Sequence, residues 1–385
     1  MSARDRAPLV RLVRALVAFP NRDPDNQFMH SVSPSYAAAE LKAHEQRSNH
    51  AFADAANSAE RAAEIALQDG NFASWWNMTF LQAENLLDAQ RFGDCETLAA
   101  SLITSLEQAN LHDQARVHIL LAKARQGAGL LEQAAASARA ATDLTAGESE
   151  VELNIKARQA LIAALADGGK LSDAWRESMN LAGVVSDDIE DQLAGKAYWV
   201  IGNVAFLCDR VEEGLRYHEL AAATFSPAKN LDVWAKFNKA SAAMRLAANV
   251  ADADTLRCIE RAELATDVIG GSETDVLLLK RNRAHWSYLA GDAGSAVTLL
   301  EEIRATVRSL TPQILGDVCL LLGRSYLAVG DKVAARQSLR EAEVHFRTAG
   351  APHRAQQAKE VLLAELGRTT VWSRIGRKLT SFGRH

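Results

Sequence analysis

Between Pro34 and Pro227 the chain runs for 192 residues without a proline. Tight turns and sheet edges recruit proline, whereas helix interiors exclude it, because the ring removes an amide donor and clashes with the preceding turn. A strand-and-turn architecture is therefore excluded across that interval. The same stretch is rich in Ala, Leu, Glu, Arg and Gln, all of which lose little side-chain freedom in a helix. The expectation is an all-α chain, and 385 residues suffice for several domains or for one extended array.

Internal periodicity favours the array. A small residue recurs in the middle of every second helix, at Ala43, Ala83, Ala122, Ala163 beside Ile162, Gly202, Ser241, Ala284 and Gly323. Counted through Ile162, the spacings are 40, 39, 40, 40, 39, 43 and 39 residues. The following helix keeps the same phase: Gly129, Ala134 and Ala141 stand 7, 12 and 19 residues after Ala122, and Gly330, Ala335 and Ala342 stand likewise after Gly323. Ala55 and Ala62 repeat the pattern in the first unit. A methyl or hydrogen side chain lets two antiparallel helices approach closely where they cross, so this spacing marks helix crossings. It predicts eight helix pairs between 36 and 348, with a closing helix at 352–367. Pro227 and Pro312 fall between pairs, and turns such as LAGDAGS (289–295) and AVGDKVA (328–334) combine a helix-ending Gly with a capping Asp or Ser.

With Gly202, Gly214 and Ala221, and Ala284, Gly291 and Ala296, added to those positions, the chain resembles the tetratricopeptide-repeat family over about 36–348. The resemblance implies a right-handed superhelix of antiparallel helix pairs whose concave groove binds peptides or partner proteins. The sequence departs from the family pattern in a period nearer 40 than 34, in Leu181 and Ile303 where the second helix would carry alanine, and in Ile162. Units of this length also resemble the repeat domain of bacterial peptide-sensing transcriptional regulators. A DNA-binding head is not expected: residues 1–35 offer one helix, at 7–19, before a proline-rich stretch, too little for a helix-turn-helix unit.

Three segments are thus expected: an N-terminal arm with a short helix (1–35), the solenoid (36–367) and a basic tail (368–385). Net charge is −5, but four arginines against one aspartate fill the first 20 residues, and five basic residues with no acid fill 368–385. The body between them is acidic and poorly suited to nucleic acid, which demands phosphate neutralisation. In the tail, Val371, Trp372, Ile375, Leu379 and Phe382 recur at helical spacing among Arg374, Arg377 and Lys378. That pattern reads as an amphipathic or flexible segment that docks on protein, on the acidic body itself, or on an anionic membrane surface. Cys95, Cys208, Cys258 and Cys319 are too scattered for a disulfide framework or a zinc site, which points to the cytoplasm.

Carrying the family's inner positions over by register gives the candidate groove: Asn77, Glu84, Arg116, Lys123, Lys196, Trp199, Asn203, Phe206, Asn238, Arg245, Arg281, His285, Tyr288 and Arg324, with Lys156 in the same row as Lys196. Amide side chains such as Asn203 and Asn238 offer both donor and acceptor to an extended backbone, and the cations suit carboxylates. Trp199, Phe206 and Tyr288 read either as aromatic anchors or as core; the polar residues read equally as ordinary solvated helix surface. Trp75, Trp175, Trp234 and Trp286 read as inter-helix packing.

No catalytic residue, metal ligand or cofactor is expected. AGDAGS and LAGKAYW lack the ordering of a phosphate loop, no serine elbow occurs, and His44/His50 and His112/His118 are spaced six apart, off a common helical face. The function expected is a non-enzymatic scaffold that binds a peptide or a flexible segment of a partner protein. The alternatives are a peptide-responsive regulator acting through a protein partner and, last, a helical-repeat enzyme; homo-oligomerisation stays open.

Overall fold

A computed structural model describes residues 33–364 apart from 106–109, 148–149 and 307–309. The arm's helix at 7–19 and the basic tail lie outside the described residues. Sixteen helices follow one another in chain order: α1 Pro34–Ser48, α2 Phe52–Gln68, α3 Phe72–Asp88, α4 Phe92–Ser105, α5 Leu111–Gly127, α6 Leu131–Leu144, α7 Val151–Asp167, α8 Leu171–Ala182, α9 Asp191–Leu207, α10 Val211–Thr224, α11 Leu231–Ala247, α12 Ala253–Ile269, α13 Glu273–Leu289, α14 Ala293–Ala305, α15 Pro312–Val329 and α16 Lys332–Thr348. Residues 352–364 form a further helix, α17, and no strand occurs among the described residues. The helices form consecutive pairs, and the first helix of every pair carries the small residue that the spacing identifies.

The crossing argument holds residue by residue. Ala43, Ala83, Ala284, Ala55, Ala62, Ala134, Ala141, Ala221, Ala296, Ala335 and Ala342 are all fully buried. At Gly323 a Cβ would stand 2.7 Å from the Leu339 Cγ and 3.3 Å from the Ala335 carbonyl oxygen, so α16 lies too close for even a methyl group there. Ile162, Leu181 and Ile303, which break the small-residue rule, are also fully buried. At those crossings the packing is filled by one larger side chain in place of backbone approach.

The turn inside each pair is one motif used eight times. A residue just past the first helix adopts a left-handed backbone: His50, Gln90, Gly129, Gly169, Asp209, Asn249, Gly291 and Gly330, with φ from 58° to 92°. The next amide reaches back to the final turn, as in Leu130 N to Arg125 O at 2.8 Å and Asp331 N to Tyr326 O at 2.9 Å. This is the Schellman closure, which satisfies the carbonyls that a helix end leaves open. Helix starts are capped by side chains at Asn71, Asn110, Asn230, Asp252, Ser272, Asp292, Thr311 and Asp331, each accepting from an amide in the first turn.

By internal packing the chain divides into two compact units, with the division between Tyr217 and His218, inside α10. In the first unit the first helices of successive pairs touch directly, α3 to α5, α5 to α7 and α7 to α9. In the second, α11 touches α13 and α13 touches α15. Each unit thus has an inner layer made of first helices. The largest core of the first unit is built from α5 to α10, around Ile155, Ile162, Leu181 and Ile201. In the second unit separate clusters form around Leu246 and Ile259, around Leu300, Ile303 and Leu322, and around Leu339 and Phe346. The last of these includes Ala355, Ala358 and Leu362 of α17, which therefore covers the end of the α15–α16 pair.

Candidate functional site

Because first helices stack on first helices, residues at a fixed offset from the small position fall in rows along one layer of each unit. In the first unit this assembles a charged patch from four successive helices. Lys123 of α5 is exposed to solvent, yet protein crowds it enough that desolvation lowers its ammonium pKa. Glu84 and Asp88 of α3 pull that pKa back up, whereas Lys196 of α9 and Lys156 of α7 push it down. Charges from three neighbouring helices, α3, α7 and α9, therefore act on one point of α5. Asp88 is engaged by Arg47 at 3.1 Å and Lys156 lies 4.0 Å from Glu152. Among the described residues, Lys123 and Lys196 have no carboxylate within ion-pair distance, and both are exposed. Lys196 sits one helical turn before the half-buried Trp199 and two before Asn203.

Arg116, also on α5, has a different setting. Its guanidinium lies 4.2 Å over the Phe80 ring and 5.3 Å over Trp76, and these two rings stack at 5.2 Å. With Asp113 at 3.4 Å, the cation is held in place by protein on more than one side. The Trp76 Nε1 is buried with no acceptor among the described residues. Asn77, its neighbour, is exposed.

The second unit collects a second patch. Arg281 and His285 lie one turn apart on α13, Asp317 and Arg324 two turns apart on α15, and Arg354 on α17. The Asp317 carboxylate is shared: Oδ2 lies 3.5 Å from Arg281, and Oδ1 accepts from Arg354. Burial lowers the Arg281 pKa, with Asp317 opposing the shift and Arg354 adding to it. Burial also brings His285 down to about 4, helped by Arg281 and Arg324 and resisted by Asp317. At neutral pH its imidazole is uncharged.

Three of the sequence candidates leave the accessible surface. Asn238 is 1% exposed and spends its amide on the Trp234 carbonyl at 2.8 Å, while its Oδ1 is buried without a donor among the described residues. Arg245 is 4% exposed and lies 3.8 Å from Asp252. Phe206 is 9% exposed and covers Gly214, where a Cβ would stand 2.8 Å from its ring. All three sit at inner-row offsets, but depth depends on how closely the next helix packs, which register does not encode. Tyr288 packs against the Leu300–Leu322 cluster, so its ring is chiefly structural. Trp75, Trp175 and Trp286 likewise pack against cores. Asp88, Asp317 and Arg354 were not among the candidates. Asp317 stands at the same offset before Gly323 as Lys196 does before Gly202, so the row could have yielded it; Arg354 lies on α17, beyond the repeat.

Among the described residues no group of three or more His, Cys, Asp or Glu could hold a metal ion, and no helix is long and apolar enough to cross a membrane. The four cysteines are unpaired. No protein-family model matches the chain, and no curated protein matches its sequence. Solved structures do match. Aspartyl phosphate phosphatase F from Bacillus subtilis superposes with a TM-score of 0.54 at 13% identity, over 89% of this chain and 89% of its own. The apo form of RapI gives 0.52 at 9% identity, over 71% of this chain and 98% of its own. At such identities the likeness establishes the fold alone, and that fold is an all-helical, tetratricopeptide-like succession of paired helices.

Proposed function

We propose that this protein is a non-enzymatic scaffold whose inner helix layer in the first unit binds an acidic peptide, or an acidic flexible segment of a partner protein. The observation that carries the reading is Lys123: exposed, crowded, without an ion-pair partner among the described residues, and within electrostatic reach of Lys156 and Lys196. A helix layer that presents exposed ammonium groups, with a half-buried Trp199 and Asn203 one and two turns beyond Lys196, suits an extended ligand. Carboxylates would pair with the lysines, and the amide would meet the backbone. The phosphatase activity in one structural neighbour's name does not transfer on a likeness of fold.

Panning a random 12-residue peptide library on the full chain tests this. Wild type is expected to enrich sequences rich in Asp and Glu, with binding that weakens as salt rises. The folded Lys123→Glu, Lys196→Glu variant is expected to lose them. Enrichment of neutral or basic peptides, or undiminished capture by the variant, would overturn the reading.

A further inference from the structure

The charge of the second patch does not balance. Arg281, Arg324 and Arg354 bring three guanidiniums, which are never deprotonated at physiological pH, against the single carboxylate of Asp317. Both Asp317 oxygens are already taken, one by Arg281 at 3.5 Å and the other by Arg354. Arg354 is further fixed by Gln357 at 2.5 Å and by the Phe346 ring, 5.0 Å from its guanidinium carbon. Arg324 has no acceptor among the described residues, although it acts electrostatically on His285. Two positive charges are left over beside Arg281, which protein crowds although its side chain keeps 24% of its exposure. Uncompensated charge in a desolvated setting is costly, and the cost is relieved when a counter-charge binds.

We propose that Arg281, His285, Arg324 and Arg354 form a binding site for a phosphoryl-type dianion. Two unbalanced positive charges match a dianion, whereas a single carboxylate would leave one. Arg324, free of other duties, is the main ligand-binding group; Arg281 acts with it on His285, and Arg354 shares Asp317 with Arg281. His285 adds a group whose charge responds to the ligand. The groups that face it are Arg281 on its own helix and Asp317 and Arg324 on α15, so in the free protein protonation is opposed by two cations and aided by one anion. A bound dianion reverses that balance and raises the imidazole pKa, while the ligand's own second protonation, with a pKa of about 6, reduces the charge match as pH falls. This site lies in the second unit and stands whether or not the first unit binds acidic peptides.

The test uses the full chain, with inorganic phosphate and a phosphoserine peptide as probes and the unphosphorylated peptide as control. Calorimetry is paired with NMR titration of the His285 imidazole. Phosphate is expected to bind and to raise the His285 pKa from about 4. Arg324→Gln is expected to weaken binding by about tenfold or more while the melting temperature holds or rises, because Arg324 holds nothing else and its charge is uncompensated; a charge-assisted contact has this worth. Arg324→Lys should restore part of the affinity. Lys123→Glu, Lys196→Glu should leave phosphate binding unaltered, which separates this site from the peptide surface. A phosphopeptide that binds more tightly than both phosphate and its unphosphorylated form identifies a phosphorylated side chain as the source; equal binding of phosphopeptide and phosphate identifies the free anion. Absence of heat and of any His285 shift at tens of millimolar phosphate, or equal affinity in Arg324→Gln, would refute the proposal.

Discussion

Four of the eight intra-pair turns place a side-chain-bearing residue where glycine would be at ease. His50, Gln90, Asp209 and Asn249 all have φ near +60°. Asparagine and aspartate tolerate this region through local hydrogen bonding, but Gln90 has no such compensation. Gln90→Gly is expected to raise stability by roughly 0.5–1 kcal/mol in urea denaturation, the strain relieved outweighing the entropy glycine loses on folding. Buried His218 sets a second expectation. Desolvation, aided by Arg245, brings its pKa from 6.5 to about 3, and its Nδ1 lies 2.9 Å from the Ser241 hydroxyl. Below pH 6.5 the unfolded chain takes up the proton and the folded one does not. Stability held above that value is therefore lost as pH falls toward the folded pKa. The loss from this group between pH 7 and 5 is about 2 kcal/mol. His218→Asn, which retains a polar atom facing Ser241, should flatten that slope in denaturation curves measured across the range, even if it lowers stability throughout.

At the scale of helices, the sequence was readable where packing left a chemical trace. Small residues at Ala43, Ala83, Ala284 and Gly323 announce crossings because no other side chain fits there, and Gly129 and Gly330 announce turns. The turns at His50 and Gln90 left no such trace, since the backbone takes the same shape without glycine. For the candidate sites, register placed Lys123, Lys196, Arg281, His285 and Arg324 on the inner layer. It could not tell them from Asn238 and Arg245, because burial is decided by the neighbouring helix. The crossing argument gives a paired expectation. Gly323→Ala forces a methyl group against Leu339 and should cost about 1–3 kcal/mol. Gly93→Ala, where a Cβ meets nothing within 4 Å, should be neutral or stabilising by up to about 1 kcal/mol. Parallel chemical denaturation of the two variants measures the contrast.

Within each unit of the molecule, helices pack chiefly on their sequence neighbours, and first helices also touch the helix two places along, as α5 does α7 and α11 does α13. In a structure of that kind damage stays local. Hydrogen exchange on Gly323→Ala is expected to show faster exchange in α15, α16 and α17, with α1 to α3 unchanged; uniform loss of protection throughout would contradict it. The crowded lysine of the inner layer has a chemical consequence as well. An amine whose pKa is lowered and which solvent still reaches carries more of its unprotonated, nucleophilic form at neutral pH than its exposed counterparts do. Lys123 should therefore be acylated ahead of the other exposed lysines by a limiting dose of an activated ester, as read by peptide mass mapping. A ligand resting on the inner layer would shield it. One residue would then report occupancy of that layer before the ligand has been identified.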